Sequence, residues 1–258
     1  DPRTGESPYA HWPSLDAAAQ SFGGLVHAND GLVTPAIADI FPGTLMALGV
    51  VSAIHSAQRS GKGQFLDVGM YDAMMAFQKS AVAQYGFTGK PNPAGLQRAM
   101  TLYPFDLFPT QDGRIAIAVG QPRHWDLLCA AMERADLMDD ERSFSNEARL
   151  ANVDWVEEQI CAWTQTQTRA EIMAKLDGAI PIGPVQTMAD IFADPHVSAR
   201  DMLETCSPAG DNPDIALAAS PIKFSQTPTT LYQRPPNLGE HNAEVLAEFG
   251  IEPSKRKD

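Results

Sequence analysis

Two carboxylates in the first part of the chain, Asp16 and Asp39, are the side chains best suited to covalent or acid–base chemistry. Asp39 stands at the mouth of a predicted helix, ahead of residues 45–54, which are almost all apolar or small and include Gly49. Free backbone N–H groups and the helix dipole favour an acid at such a place, so an N-cap is the ordinary reading. A carboxylate between Ala38 and Ile40, ahead of an apolar helix expected to be buried nearly all round, is also partly desolvated, the setting in which nucleophiles and general bases occur. Asp16 falls in a short helix predicted over residues 15–22 and would form a carboxylate pair with Asp39 if the fold brings them together. A third candidate is Val119-Gly-Gln-Pro122, directly after a predicted strand. Gly120 there would let backbone approach a ligand closely, although a plain strand-to-helix loop accounts for Gly120 and Gln121 equally well.

Other chemistries lack support. The six histidines, at 11, 27, 55, 124, 196 and 241, show no metal-ligand spacing, so no metal is expected. Cys129, Cys161 and Cys206 are far apart and odd in number, which argues against a disulfide framework or zinc site and for a reducing cytoplasm. Neither a Gly-x-Ser-x-Gly elbow nor a P-loop is present. Arg59-Ser-Gly-Lys-Gly63 has the glycines and cations of a phosphate cradle without its usual lead-in, and reads as a solvated helix end. Asp67 and Asp72 are expected to cap the following helix. A net charge of -13 excludes nucleic acid and an anionic membrane surface as expected partners. The longest apolar run, residues 45–54, is too short to cross a bilayer, and the N-terminus has no leader-like pattern, so no membrane is expected.

The elements that would position these residues follow from periodicity. The helix after Asp39 stops near Gly61; residues 64–70 alternate as a half-buried strand, and a helix follows from Tyr71 towards Tyr85. Strand, helix and strand in this order suggest an α/β layer architecture. A glycine- and proline-rich loop over residues 86–101 marks a boundary. Apolar runs at 103–108 and 114–119 meet at Gln111-Asp-Gly113, a hairpin signal, with Pro109 placing the first strand at an edge. Helices are predicted over 124–132, 153–164 and 168–177, with Trp125, Leu128, Trp155, Ile160 and Trp163 in the core and a Thr168/Glu171 capping box. Residues 180–184 read as a rigid turn, 188–192 as a helix broken at Asp194-Pro195, 215–219 and 222–224 as strands, and 242–249 as a last helix.

In order along the chain, several groups of residues resemble one family. They are Pro8-Tyr-Ala, Pro13-Ser-Leu-Asp16 with Gln20, Ala38-Asp39, Arg59-Ser-Gly-Lys-Gly-Gln64, Asp67-Val and Tyr71-Asp-Ala. Further on come Asp112-Gly113, Gly120-Gln-Pro with Trp125, Phe144-Ser-Asn with Arg149, Ile180-Pro-Ile-Gly-Pro-Val185, Asp194-Pro195 and Pro235-Pro-Asn-Leu-Gly-Glu-His-Asn242. Together these resemble the class III CoA-transferases, the formyl-CoA and carnitine-CoA transferase (CaiB/BaiF) family. The resemblance implies an α/β fold. Residues 1–100 would be part of a Rossmann-like large domain carrying the nucleophile, 101–193 a small α+β domain and 194–258 a return to the large domain. It places the nucleophilic aspartate at Asp39, a supporting acid at Asp16 and the intermediate-shielding glycine loop at Gly120 and Gln121. It further implies coenzyme A thioesters as substrates with no bound cofactor, an acyl-CoA and a small carboxylic acid as ligands, and an interlocked homodimer. The chain begins where the family's first third would have ended, so CoA-binding residues are expected in an N-terminal part, on this or another polypeptide. A racemase-like proton transfer and a non-catalytic subunit are the rival expectations.

Overall fold

The structure is a computed structural model that describes residues 7–95, 101–207, 213–229 and 234–251. It divides into two compact units, Asp1–Pro184 and Val185–Asp258.

The first unit opens with five helices, α1 (Asp16–Phe22), α2 (Leu25–Asn29), α3 (Ile37–Ser60), α4 (Met70–Phe77) and α5 (Lys79–Thr88). α1 begins where predicted and ends at Gly23 because α4 crosses it there. A Cβ on Gly23 would lie 2.3 Å from the Cβ of Met74, which is fully buried. Ala19, Leu25, Ala38 and Met74 form a small core with Val33, Ile37, Phe41 and Met70 against it. Gly23→Ala therefore pushes two backbones apart and is expected to cost about 2 kcal/mol in denaturant unfolding. Gly49→Ala is the control. Its Cβ would meet only the movable end of Leu66, at 2.9 Å, and better helix propensity offsets the contact.

Two expectations fail here. The helix after Asp39 is not buried all round: of its 24 residues only Ala38 and Pro42 are buried, and Leu48 and Val51 are each 66% exposed. Apolarity states that a helix favours burial, but other elements must supply the cover. α3 is also long and apolar enough to cross a membrane by length and composition, which corrects the reading of residues 45–54 as the limit of the apolar run. Residues 64–70 form no strand. Residues 64–69 run without regular structure into α4, which Met70 begins, since a strand needs a ladder partner and none pairs with them among the described residues. Asp72 lies in the first turn of α4, whose N-cap is Gly69 with no side-chain cap.

The rest of the unit surrounds a second core. β1 (Phe105–Thr110) and β2 (Gly113–Ala118) form the predicted hairpin, with Thr110 opposite Gly113 and Gln111-Asp112 as its two-residue loop. Gly113 has φ 146°, a backbone glycine adopts freely. After α6 (Pro122–Ala131), α7 (Asn146–Ala151), α8 (Val153–Thr164) and α9 (Arg169–Leu176), β3 (Ile182–Pro184) pairs antiparallel with β2, where a rigid turn was expected. The order β1-β2-β3 leaves Pro109 on an edge strand, as expected. The capping box forms: Thr168 Oγ1 accepts from the Glu171 N–H at 3.2 Å and Glu171 Oε2 accepts from the Thr168 N–H at 2.7 Å. Trp125, Leu128 and Ile160 are buried, while Trp155 and Trp163 pack at the edge.

Arg149 is an unforeseen part of this core. It is 3% exposed, donates to the carbonyls of Tyr103 (2.6 Å) and Ser143 (2.8 Å), and sits 4.8 Å from the Trp125 ring. Nearby, burial above all, and then the Asp126 carboxylate, push the Cys129 thiol up to about 12. Thiolate is the reactive form, so native Cys129 is expected to resist iodoacetamide at pH 8 and to label only on unfolding; rapid native labelling would contradict its burial.

The second unit contains α10 (Met188–Ala193), α11 (Pro195–Ala199), an antiparallel pair β4 (Leu203–Cys206) and β5 (Ile215–Ala218), and α12 (Asn242–Glu248). Asp194-Pro195 ends one helix and starts the next: Asp194 accepts from the His196 N–H at 2.8 Å and Pro195 takes the first helical position. Residues 222–224, expected as a strand, pair with nothing among the described residues; the partner of β5 is β4.

Candidate active site

Asp39 is the third residue of α3, in the turn where the helix dipole favours a negative charge. It is not the N-cap, which is Ala36, and its side chain is exposed in this chain rather than partly desolvated. An exposed carboxylate in the first turn of a helix is reachable, which a nucleophile needs.

Asp16 reaches the start of α3 at the residue before Asp39. One carboxylate oxygen of Asp16, Oδ1, accepts from the N–H of Ala38 at 2.8 Å, one of the helix-end donors that has no partner inside the helix. Asp16 therefore caps α3 from α1. Its other oxygen, Oδ2, accepts from Gln20 Nε2 at 2.7 Å. Gln20 is fully buried, and its amide grips the backbone of Val33 on both sides: Nε2 donates to the carbonyl and Oε1 accepts from the N–H, each at 2.9 Å. Periodicity gave no sign of this arrangement. The one signal was a polar Gln four residues after Asp16, which puts both on one helix face.

Gly120 and Gln121 lie between β2 and α6, on the second core. The Gly120 N–H faces His124 Nδ1 at 3.3 Å, and among the described residues, its two chain neighbours apart, no atom lies within 4 Å of where a Cβ on Gly120 would stand. Arg59-Ser-Gly-Lys-Gly63 is the end of α3, with Gly61 in the left-handed conformation. At about 1.5 Å per helical residue, Arg59 is roughly 30 Å along the helix from Asp39, which removes it from any site built there.

The landmarks around Tyr9 and Tyr71 converge on a cleft of about 550 Å³ lined by Tyr9, Trp12, Phe22, Met70, Tyr71 and Asp72. Ring centroids there are 5.0 Å apart for Tyr9–Phe22 and 5.7 Å for Phe22–Tyr71, so the walls suit a flat or apolar group. His27 holds residues 89–95 against α2: its carbonyl accepts from the Gly95 N–H at 3.1 Å, and its Nε2 is 3.2 Å from the Asn92 carbonyl. Among the described residues no group of three or more His, Cys, Asp or Glu is arranged to hold a metal.

The sequence model of the family described as CoA-transferase family III matches residues 3–242. The succinyl-CoA:mesaconate CoA-transferase of Haloarcula hispanica is 38% identical over 97% of this chain and 64% of its own length. The succinate–glutarate CoA-transferase of Agrobacterium fabrum is 34% identical over 94% of the chain and 62% of its length. The crystal structure of a CaiB/BaiF family protein from Brucella suis superposes with a TM-score of 0.77 at 30% identity, covering 94% of this chain and 65% of that one. The chain thus spans a little under two thirds of these relatives.

Proposed function

The chain belongs to CoA-transferase family III, and from that premise we propose that it supplies the nucleophile of an enzyme moving CoA between carboxylic acids, with Asp39 as the reacting group. In this reading the Asp39 carboxylate attacks the carbonyl of an acyl-CoA, forming an aspartyl–acyl anhydride and releasing CoA thiolate. The thiolate attacks the aspartyl carbonyl, which expels the donor as its free carboxylate and leaves an aspartyl-CoA thioester. The acceptor carboxylate displaces the thiolate to give a new anhydride, and the thiolate then takes the acceptor acyl group and frees Asp39. Each bond broken is matched by one of similar energy, so no external energy source is required. The observation that carries the reading is Asp39 itself, an exposed carboxylate in the first turn of a helix capped by a neighbouring acid.

Named relatives act on succinyl-CoA and mesaconate or on succinate and glutarate, which supports short dicarboxylates as the acid pair. Gly120 and Gln121 are proposed as the cover of the intermediates, and the parts 1–100, 101–193 and 194–258 as large-domain, small-domain and returning segments. The uncovered apolar surface of α3 supports association with a further segment or a second copy, as an interlocked dimer requires. We place the protein in the cytoplasm, consistent with cysteines that are all free.

The test is incubation of the full-length protein with succinyl-CoA and a panel of dicarboxylates, with intact-mass analysis before and after hydroxylamine. CoA transfer and a hydroxylamine-sensitive adduct at Asp39 are expected. Exchange of the substrate's α-proton without an adduct would replace this reading by the racemase one; neither signal would leave a non-catalytic subunit.

A further inference from the structure

We propose that Asp16 and the buried amide of Gln20 are a positioning relay that fixes the direction of Asp39. The inference rests on the transferase reading and adds to it two residues that touch no reacting atom. The relay runs Val33–Gln20–Asp16–Ala38, with every link between 2.7 and 2.9 Å.

Its chemistry is more demanding than an ordinary cap. Val33 fixes both ends of the Gln20 amide, so the amide cannot turn over: the reverse orientation would set oxygen against the Val33 carbonyl and N–H against N–H. Nε2 must therefore face position 16, where the Ala38 N–H also points. The side chain at 16 must accept twice at once, which a carboxylate does and an amide or hydroxyl of the same reach does poorly. Gln20 and Ala38 are both fully buried, so water does not replace a lost link without a rearrangement of the core. The consequence reaches Asp39 because Ala38 precedes it. Because Asp16 engages the Ala38 amide, that donor is not open to the Asp39 side chain, which stays exposed.

The experiment uses the full-length protein with Asp16→Asn, Asp16→Glu and Gln20→Met, measuring the single-turnover rate of Asp39 acylation by succinyl-CoA and amide hydrogen exchange at Ala38. Asp16→Asn is expected to slow acylation about 10²-fold with little change in KM, as for a nucleophile misplaced by about an ångström. Ala38 exchange should quicken about tenfold while the middle of α3 keeps its protection. Gln20→Met should act in the same direction, and Asp16→Glu, which keeps both acceptors, should recover part of the rate. Wild-type acylation in either folded Asn or Met variant would overturn the relay, as would slowed acylation with unchanged Ala38 exchange. If Asp16→Asn does not fold, Gln20→Met carries the test. If the wild-type protein forms no adduct, the transferase reading is what fails; the exchange arm still decides whether the Asp16 link exists.

Discussion

Asp39→Ala abolishes the hydroxylamine-sensitive adduct and lowers CoA transfer by at least about 10⁴-fold, the scale of loss when a covalent nucleophile is removed. No bypass is expected from Asp16, whose two oxygens are engaged by Ala38 and Gln20. Asp39→Glu keeps the carboxylate but moves it by about one methylene, so it should retain the adduct at a rate reduced about 10²-fold. Both variants should unfold at nearly the wild-type midpoint, because Asp16 rather than Asp39 caps the helix end and an alanine is welcome in a first turn. Transfer assays with intact-mass analysis decide the matter. An alanine variant retaining more than about a hundredth of wild-type turnover would place the nucleophile elsewhere.

Trp125→Ala should cost about 3–5 kcal/mol, a large share of the stability of any domain of this size. The ring is 1% exposed in the second core, its Nε1–H donates to the Leu137 carbonyl at 3.2 Å, and it supports the buried Arg149 guanidinium. Alanine leaves a cavity and strips Arg149 of its aromatic neighbour, while Arg149 keeps its bonds to the carbonyls of Tyr103 and Ser143. Trp125→Phe separates the effects, since it retains most of the volume and loses the indole N–H, for about 1 kcal/mol. Denaturant unfolding gives both numbers. A loss under about 1 kcal/mol for the alanine variant would mean that this core is not organised around Trp125.

Local signals proved legible where the physics is local. A two-residue loop before Gly113 joins two apolar runs, and Thr168 and Glu171 satisfy each other's backbone across one turn; both are settled by neighbours in sequence. That Asp39 lies near the start of an apolar helix was visible in the same way, but it stands inside the first turn and not at the cap. The failures share a cause. Residues 64–70 alternate as a strand does, but alternation specifies a face and not a ladder partner. Residues 180–184 looked like a turn because two prolines and a glycine punctuate them, yet the free edge of β2 takes Ile182–Pro184 as a third strand.

The sequence by itself determined the family, the hairpin and the capped start of the helix after Thr168, because each depends on residue types within a few positions or on an ordered set of landmarks. Only the tertiary structure decided that Asp16 caps the helix of Asp39, that Gln20 and Arg149 are buried and satisfied, and that α3 stands largely uncovered. The hydrogen bond between Asp16 of α1 and Ala38 of α3 joins residues 22 positions apart. Whether a polar side chain is orphaned or satisfied, and whether an apolar face is covered, depends on which surfaces meet, a property of packing that no spacing along the chain encodes.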